Sequence, residues 1–320
     1  MLLDEVLRKS SALLAAMLTM AAAWCCFHLP GAHLPMVAFA FLSASALCDI
    51  SRFNLRMRRC FALIGGVAAT QIALGTVSNH PLVQLPVAMI FSYIILSCMA
   101  DRQAAIIVLL TAFLSLQSPP GLTAALERSM DMLVSGITVL LITTVCNLFA
   151  QDIAGASYQP QPYSPRQSAI ITAELACGFI IFLLLKHEQA VWIMLTILFI
   201  HMAENPRAPL PDLVKRRIAA TPIGILLGGA YLAAFGSFNY RASYIVPLTG
   251  TLGFFMLYLK NDYFLFTLLF MFTLTVFSDW MLGSYHRFHF TEILFVRSLA
   301  TVIGGILLLC GKDLMEKEAV

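Results

Sequence analysis

The stretch Arg297-Ser-Leu-Ala-Thr-Val-Ile-Gly-Gly305-Ile repeats the pattern of Arg128-Ser-Met-Asp-Met-Leu-Val-Ser-Gly136-Ile, 169 positions earlier. In each copy an arginine stands near the head of an apolar run that continues for several turns. Crossing hydrocarbon takes about 20 apolar residues, so both stretches predict membrane helices carrying a costly charge. A matched pair of such helices predicts an internal repeat.

The remaining sequence extends the match. Arg58-Arg59 corresponds to Arg216-Arg217, with Gly66 opposite Gly224, and Ser11-Ala12 corresponds to Ser168-Ala169. Of the 320 residues 60% are hydrophobic and 12% charged, against about 25% charged in soluble domains. A soluble globule is therefore excluded. The net charge of +3, spread over loops, lacks the basic face that nucleic-acid binding needs.

Apolar runs fall near 10–28, 33–49, 60–78, 81–99, 104–118 and 124–149, and again near 167–186, 189–204, 217–236, 243–260, 262–279 and 291–311. The expected fold is an all-α polytopic membrane protein of twelve transmembrane helices, arranged as two six-helix parallel repeats. Residues 1–150 form the first repeat, 151–166 a polar cytoplasmic linker and 167–320 the second repeat. An even helix number per repeat gives both copies one orientation, about an axis along the membrane normal. Lys and Arg number 15 in the two tails and even-numbered loops and 5 in the odd-numbered loops. Basic loops stay cytoplasmic, which predicts cytoplasmic amino and carboxyl termini and a retained first helix.

Arg128 and Arg297 are the leading candidates for substrate binding. A guanidinium within a membrane helix faces protein, water or a ligand, and its planar fork suits a carboxylate. The alternative is that each snorkels outward or pairs with Glu127 and Glu292. Asp131, one turn from Arg128, has no counterpart, since Ala300 holds the equivalent place. Glu174, opposite Met17, is the candidate proton-coupling residue, because an isolated membrane carboxylate favours its neutral form; a hydrogen bond to a neighbouring helix, or a position facing a cytoplasmic vestibule, is the alternative. Arg58, Arg59, Lys215, Arg216 and Arg217 are expected to form a cytoplasmic basic rim that anchors topology, contacts headgroups or concentrates an anion. Trp192 and Trp280 read as interfacial aromatics.

No enzyme constellation and no cofactor motif emerges. The eight cysteines lack metal spacing, and His286 with His289 is the one pair left as a metal candidate. The expectation is a protein that is not an enzyme, with no metal and no cofactor.

Val191-Trp192-Ile-Met-Leu-Thr196, the basic loop, Arg217-Ile-Ala-Ala-Thr221-Pro-Ile-Gly224 and the closing Arg297 with Gly304-Gly305 resemble the fusaric acid resistance (FUSC) family over roughly residues 167–311. The first half carries a fainter version, with Pro35 in place of Trp192 and Leu63-Ile64 in place of Thr221-Pro222. The family includes bacterial aromatic carboxylic acid exporters and is distantly similar to plant aluminium-activated malate transporters. The resemblance implies an inner-membrane efflux transporter for small organic or aromatic acids in a bacterium. It also implies a periplasmic membrane-fusion adaptor and an outer-membrane channel as partners. The longer exporters carry soluble cytosolic regions after each helix block, whereas here residues 151–166 and a short tail follow. Proton-coupled export is the expected mechanism, with a passive anion channel or a non-catalytic membrane subunit of an envelope complex as the alternatives.

Overall fold

A computed structural model describes residues 53–78, 80–117, 121–148, 162–203, 209–235, 262–282 and 290–316, with isolated positions between 39 and 47 and between 245 and 256. The described elements are helices: α1 Phe53–Thr76, α2 Pro81–Cys98, α3 Arg102–Leu114, α4 Leu122–Leu148, α5 Pro165–Leu185, α6 Trp192–Ala203, α7 Leu210–Phe235, α8 Tyr263–Leu282 and α9 Phe290–Glu316. Short 3-10 turns follow α3 at Ser115–Gln117 and precede α6 at Glu188–Val191. Five of these, α1, α4, α5, α7 and α9, are long and apolar enough to cross a membrane. The runs expected at 10–28, 33–49 and 243–260 lie wholly or mostly outside the described residues, and so do His286 and His289.

Two of the shorter helices are the most enclosed. α3 is buried from Ala104 to Leu114 and α6 from Trp192 to His201. A helix apolar all round is satisfied only by neighbours on every side. With 13 and 12 residues, they span about 18–20 Å, less than a hydrocarbon core of about 30 Å.

The basic stretches depart from expectation. α1 begins at Phe53 and α7 at Leu210, seven residues ahead of the apolar runs. Arg56, Arg59 and Arg217 thus stand on helices, where their stems lie along apolar neighbours and their heads meet protein.

Packing divides the chain into two compact units, Met1–Ala176 and Cys177–Val320, with the division inside α5. In the first unit α1 packs along α4 and also touches α3 and α2. One close approach is at Gly136, where a Cβ would stand 2.6 Å from the Ile64 side chain and where the Cys60 thiol points at the Gly136 carbonyl, 3.3 Å away. Arg56, fully enclosed, donates to the Thr143 carbonyl at 3.1 Å and to Thr144 Oγ1 at 3.2 Å. Asp101 caps α3 by accepting from Ala104 N at 3.0 Å, and its carboxylate also pairs with Arg59. Arg102 holds the end of the linker through the Pro162 carbonyl at 3.3 Å, Gln167 Oε1 at 3.2 Å and the Tyr163 ring.

In the second unit α7 packs along α8 and α9, and α9 also packs along α6. At Gly304 a Cβ would come within 2.8 Å of the Ile193 carbonyl, so only glycine lets the two backbones approach this closely. At Gly305 it would meet Val214 at 2.8 Å and Ile218 at 3.4 Å.

The units use corresponding contacts. Under the register that matches Arg59 with Arg217, Cys60 corresponds to Ile218, and each meets the matched glycine, Gly136 or Gly305. Both arginines are buried, and each addresses the start of the next packed helix, at Asp101 or at Tyr263.

Candidate functional site

α9 carries Arg297 two turns in from Phe290, on the face that also bears Thr301 and Gly304. Close packing at Gly304 presses that face against α6. The Arg297 side chain therefore has nowhere to snorkel, and it is 3% exposed. Its Nε donates to Gln189 Oε1 at 2.7 Å, and its guanidinium stands 5.1 Å from the centre of the Trp192 ring. Nη1 is buried with no hydrogen-bond partner among the described residues. Pairing with Glu292, the alternative raised by the sequence, does not occur at Nε; Glu292 instead meets His187 Nε2 at 2.9 Å. His187 Nδ1 accepts from Gln189 N at 3.1 Å, so the turn that presents Gln189 is fixed at both ends.

Seven residues along α6, about 10 Å at 1.5 Å per residue, Phe199 offers its ring to a second guanidinium. Arg217 lies 4.7 Å from that ring's centre and is 0% exposed. None of its three nitrogens makes a hydrogen bond of normal geometry among the described residues, although the Tyr263 hydroxyl adjoins it. Phe199, Phe266 and Phe270 form an aromatic wall here, with ring centres 4.9 to 6.3 Å apart.

The sequence-selected residues are therefore distributed as follows. Arg297 and Arg128 are both buried, on α9 and α4. Each belongs to its own unit, and Asp131 is half-buried one turn from Arg128. Glu174 is buried on α5. Of the expected cytoplasmic rim, Arg58, Lys215 and Arg216 are exposed, whereas Arg59 and Arg217 are buried, beside Asp101 and Tyr263 at the starts of α3 and α8. Trp192, read from sequence as interfacial, is 1% exposed and stacked on Arg297.

Sequence reasoning missed Gln189, Phe199, Tyr263, Thr221 and Thr267. A signal for three of them was present, since Trp192 with Thr196, Arg217 with Thr221, Tyr263 with Thr267 and Arg297 with Thr301 are all spaced one turn apart, a spacing that places both members on one helix face.

Chemically, this interior donates. Among the described residues of the second unit, the buried charged groups are Arg217 and Arg297, with no buried carboxylate. Groups of three or more metal-ligating side chains are absent from the described residues.

Residues 175–311 match the family described as fusaric acid resistance protein-like. No curated protein and no solved structure matches the chain. The matched segment takes in α6, α7, α8 and most of α9, and with them Gln189, Trp192, Arg217 and Arg297. With five helices of membrane-crossing length among the described residues, the chain is a multi-pass membrane protein whose residues 175–311 are similar to the fusaric acid resistance-like family.

Proposed function

We propose that the protein exports small organic or aromatic acids, or related amphipathic compounds, across a bacterial inner membrane, with both termini in the cytoplasm and with transport coupled to protons. The observation that carries this reading is Arg297: a guanidinium almost wholly withdrawn from solvent, held by one neutral acceptor and an indole face, within a family-matched segment. A buried cation without a carboxylate is costly, and an anionic substrate passing it repays that cost with charge-assisted hydrogen bonds.

In this reading the two units are copies of one six-helix repeat, a view supported by the matched contacts at Gly136 and Gly305. Arg128 is the counterpart of Arg297, and Asp131 distinguishes the two sites electrostatically. Glu174, buried in a membrane-length helix, carries the proton. A periplasmic adaptor and an outer-membrane channel complete the route, and the chain performs no covalent chemistry.

The donor-rich interior also favours a second reading, a passive anion channel. Flux of a labelled aromatic acid into proteoliposomes, with and without an imposed pH gradient, separates the two. Uphill movement driven by the gradient, lost in Arg297→Ala, is the expected result. Downhill current alone identifies a channel, and no flux of either kind overturns transport by this chain.

A further inference from the structure

The second unit holds more unsatisfied donors than Arg297 explains. Threonine within a membrane helix ordinarily returns its hydroxyl proton to the carbonyl four residues back. Thr273, Thr275 and Thr301 do so, at 2.7, 2.8 and 2.9 Å. Thr221 and Thr267 do not: their hydroxyls are buried and make no hydrogen bond of normal geometry among the described residues. Thr221 lies one turn from Arg217 on α7, and Thr267 one turn from Tyr263 on α8. Since Tyr263 adjoins Arg217, these four side chains converge between two tightly packed helices.

Every group in the convergence can donate: three guanidinium nitrogens, the Tyr263 phenol and two threonine hydroxyls. No buried carboxylate in the described part of this unit balances the charge. The Phe199 face supports the cation from one side, but an aromatic quadrupole leaves the in-plane N–H groups unsatisfied. The Tyr263 hydroxyl, which adjoins both Arg217 and Thr267, can accept one guanidinium N–H, but the remaining N–H groups and the net charge stay without compensation, at a high cost in a buried site.

We infer that Arg217, Thr221, Tyr263 and Thr267 form a second anion site within the Cys177–Val320 unit, whose enclosure restricts it to a compact, singly charged group such as a halide or a carboxylate head. The site stands about 10 Å along α6 from Arg297, a spacing taken from the helical rise between Trp192 and Phe199. This deepens the transport reading and rests on it: an anion leaving one guanidinium meets a second one two turns further along α6, which carries the ring partner of each. Full enclosure of Arg217 excludes a bulky ligand and admits only the head group.

The test uses the full chain in nanodiscs, exchanged into gluconate, whose size bars it from an enclosed site. Thermal unfolding is followed as chloride or formate is titrated in at constant ionic strength. The expected result is a saturable rise in Tm, since a ligand bound only by the folded state stabilises it. Arg217→Gln, made in an Arg297→Gln background so that the first site does not contribute, abolishes the rise. Tyr263→Phe and Thr267→Val each raise the half-saturating concentration by about tenfold, the loss of one charge-assisted bond. Arg297→Gln retains the rise, which separates the two sites. A response to formate alone assigns the site to the carboxylate of a transported acid, whereas a response to both assigns it to any compact anion. If Arg217→Gln does not fold, the Tyr263 and Thr267 variants carry the test. No anion-dependent shift in the native protein, or unchanged half-saturation in both of those variants, overturns the site. Transport by a protein lacking this shift leaves the export reading standing and removes only the second site.

Discussion

Arg297 and Gln189 meet at 2.7 Å where α9 packs on the turn that precedes α6, with the guanidinium lying against the Trp192 ring and Nη1 left without an acceptor among the described residues. One bond thus fixes the orientation of the charge while leaving part of it for a ligand. Gln189→Leu removes the acceptor but not the cation, and hydrogen bonds to charged groups are worth about 1.5–3 kcal/mol. The variant should insert normally, unfold at lower temperature and lose most of its acid export. Proteoliposome flux paired with a thermal melt checks both effects.

Arg297→Lys should fail to rescue that site. A lysine ammonium keeps the charge but loses the planar fork and its stacking on the indole. Export by the Lys variant is expected to stay near the level of the Ala variant, and native-like flux would show that charge alone suffices.

Gly304→Val probes the approach of α6 to α9. The first carbon added at this position comes within 2.8 Å of the Ile193 carbonyl, and backbone cannot swing aside as a side-chain tip can. A cost of about 1–3 kcal/mol is expected from overpacking. Gly65, which has open space around its Cβ position, supplies the control, since Gly65→Ala should leave the melting temperature nearly unchanged.

Asp101 has two duties in the first unit, as the cap of α3 and as the partner of Arg59. Asp101→Ala loses both and leaves a buried guanidinium without its carboxylate, at a cost of about 3–5 kcal/mol. Asp101→Asn retains a capping oxygen and should recover about 1 kcal/mol of that loss. Equal melting of the two variants would mean that the cap contributes nothing.

Glu174→Gln tests proton coupling. The substitution keeps shape and hydrogen-bonding capacity but removes titration, so gradient-driven export should disappear while substrate exchange persists. Normal pH-dependent transport by the Gln variant would move the role to Asp131.

Composition and the spacing of apolar runs were enough to establish a helical membrane protein, because hydrocarbon forces backbone hydrogen bonds to close within each segment. The motif residues of the second half likewise marked the segment that is similar to the fusaric acid resistance-like family. The matched pair Arg128 and Arg297 could be found without coordinates, since a charge in an apolar run stands out in any reading. Which charges are interior could not be read in this way. Arg216 and Arg217 are adjacent and chemically identical, yet one is exposed and the other fully buried. One step along a helix turns a side chain by about 100°, so the outcome depends on where α7 begins and on which face meets α8. Trp192 shows the same division. Its sequence neighbourhood suits a membrane interface, and only the close packing of α9 on α6 at Gly304 encloses the indole and sets it against Arg297.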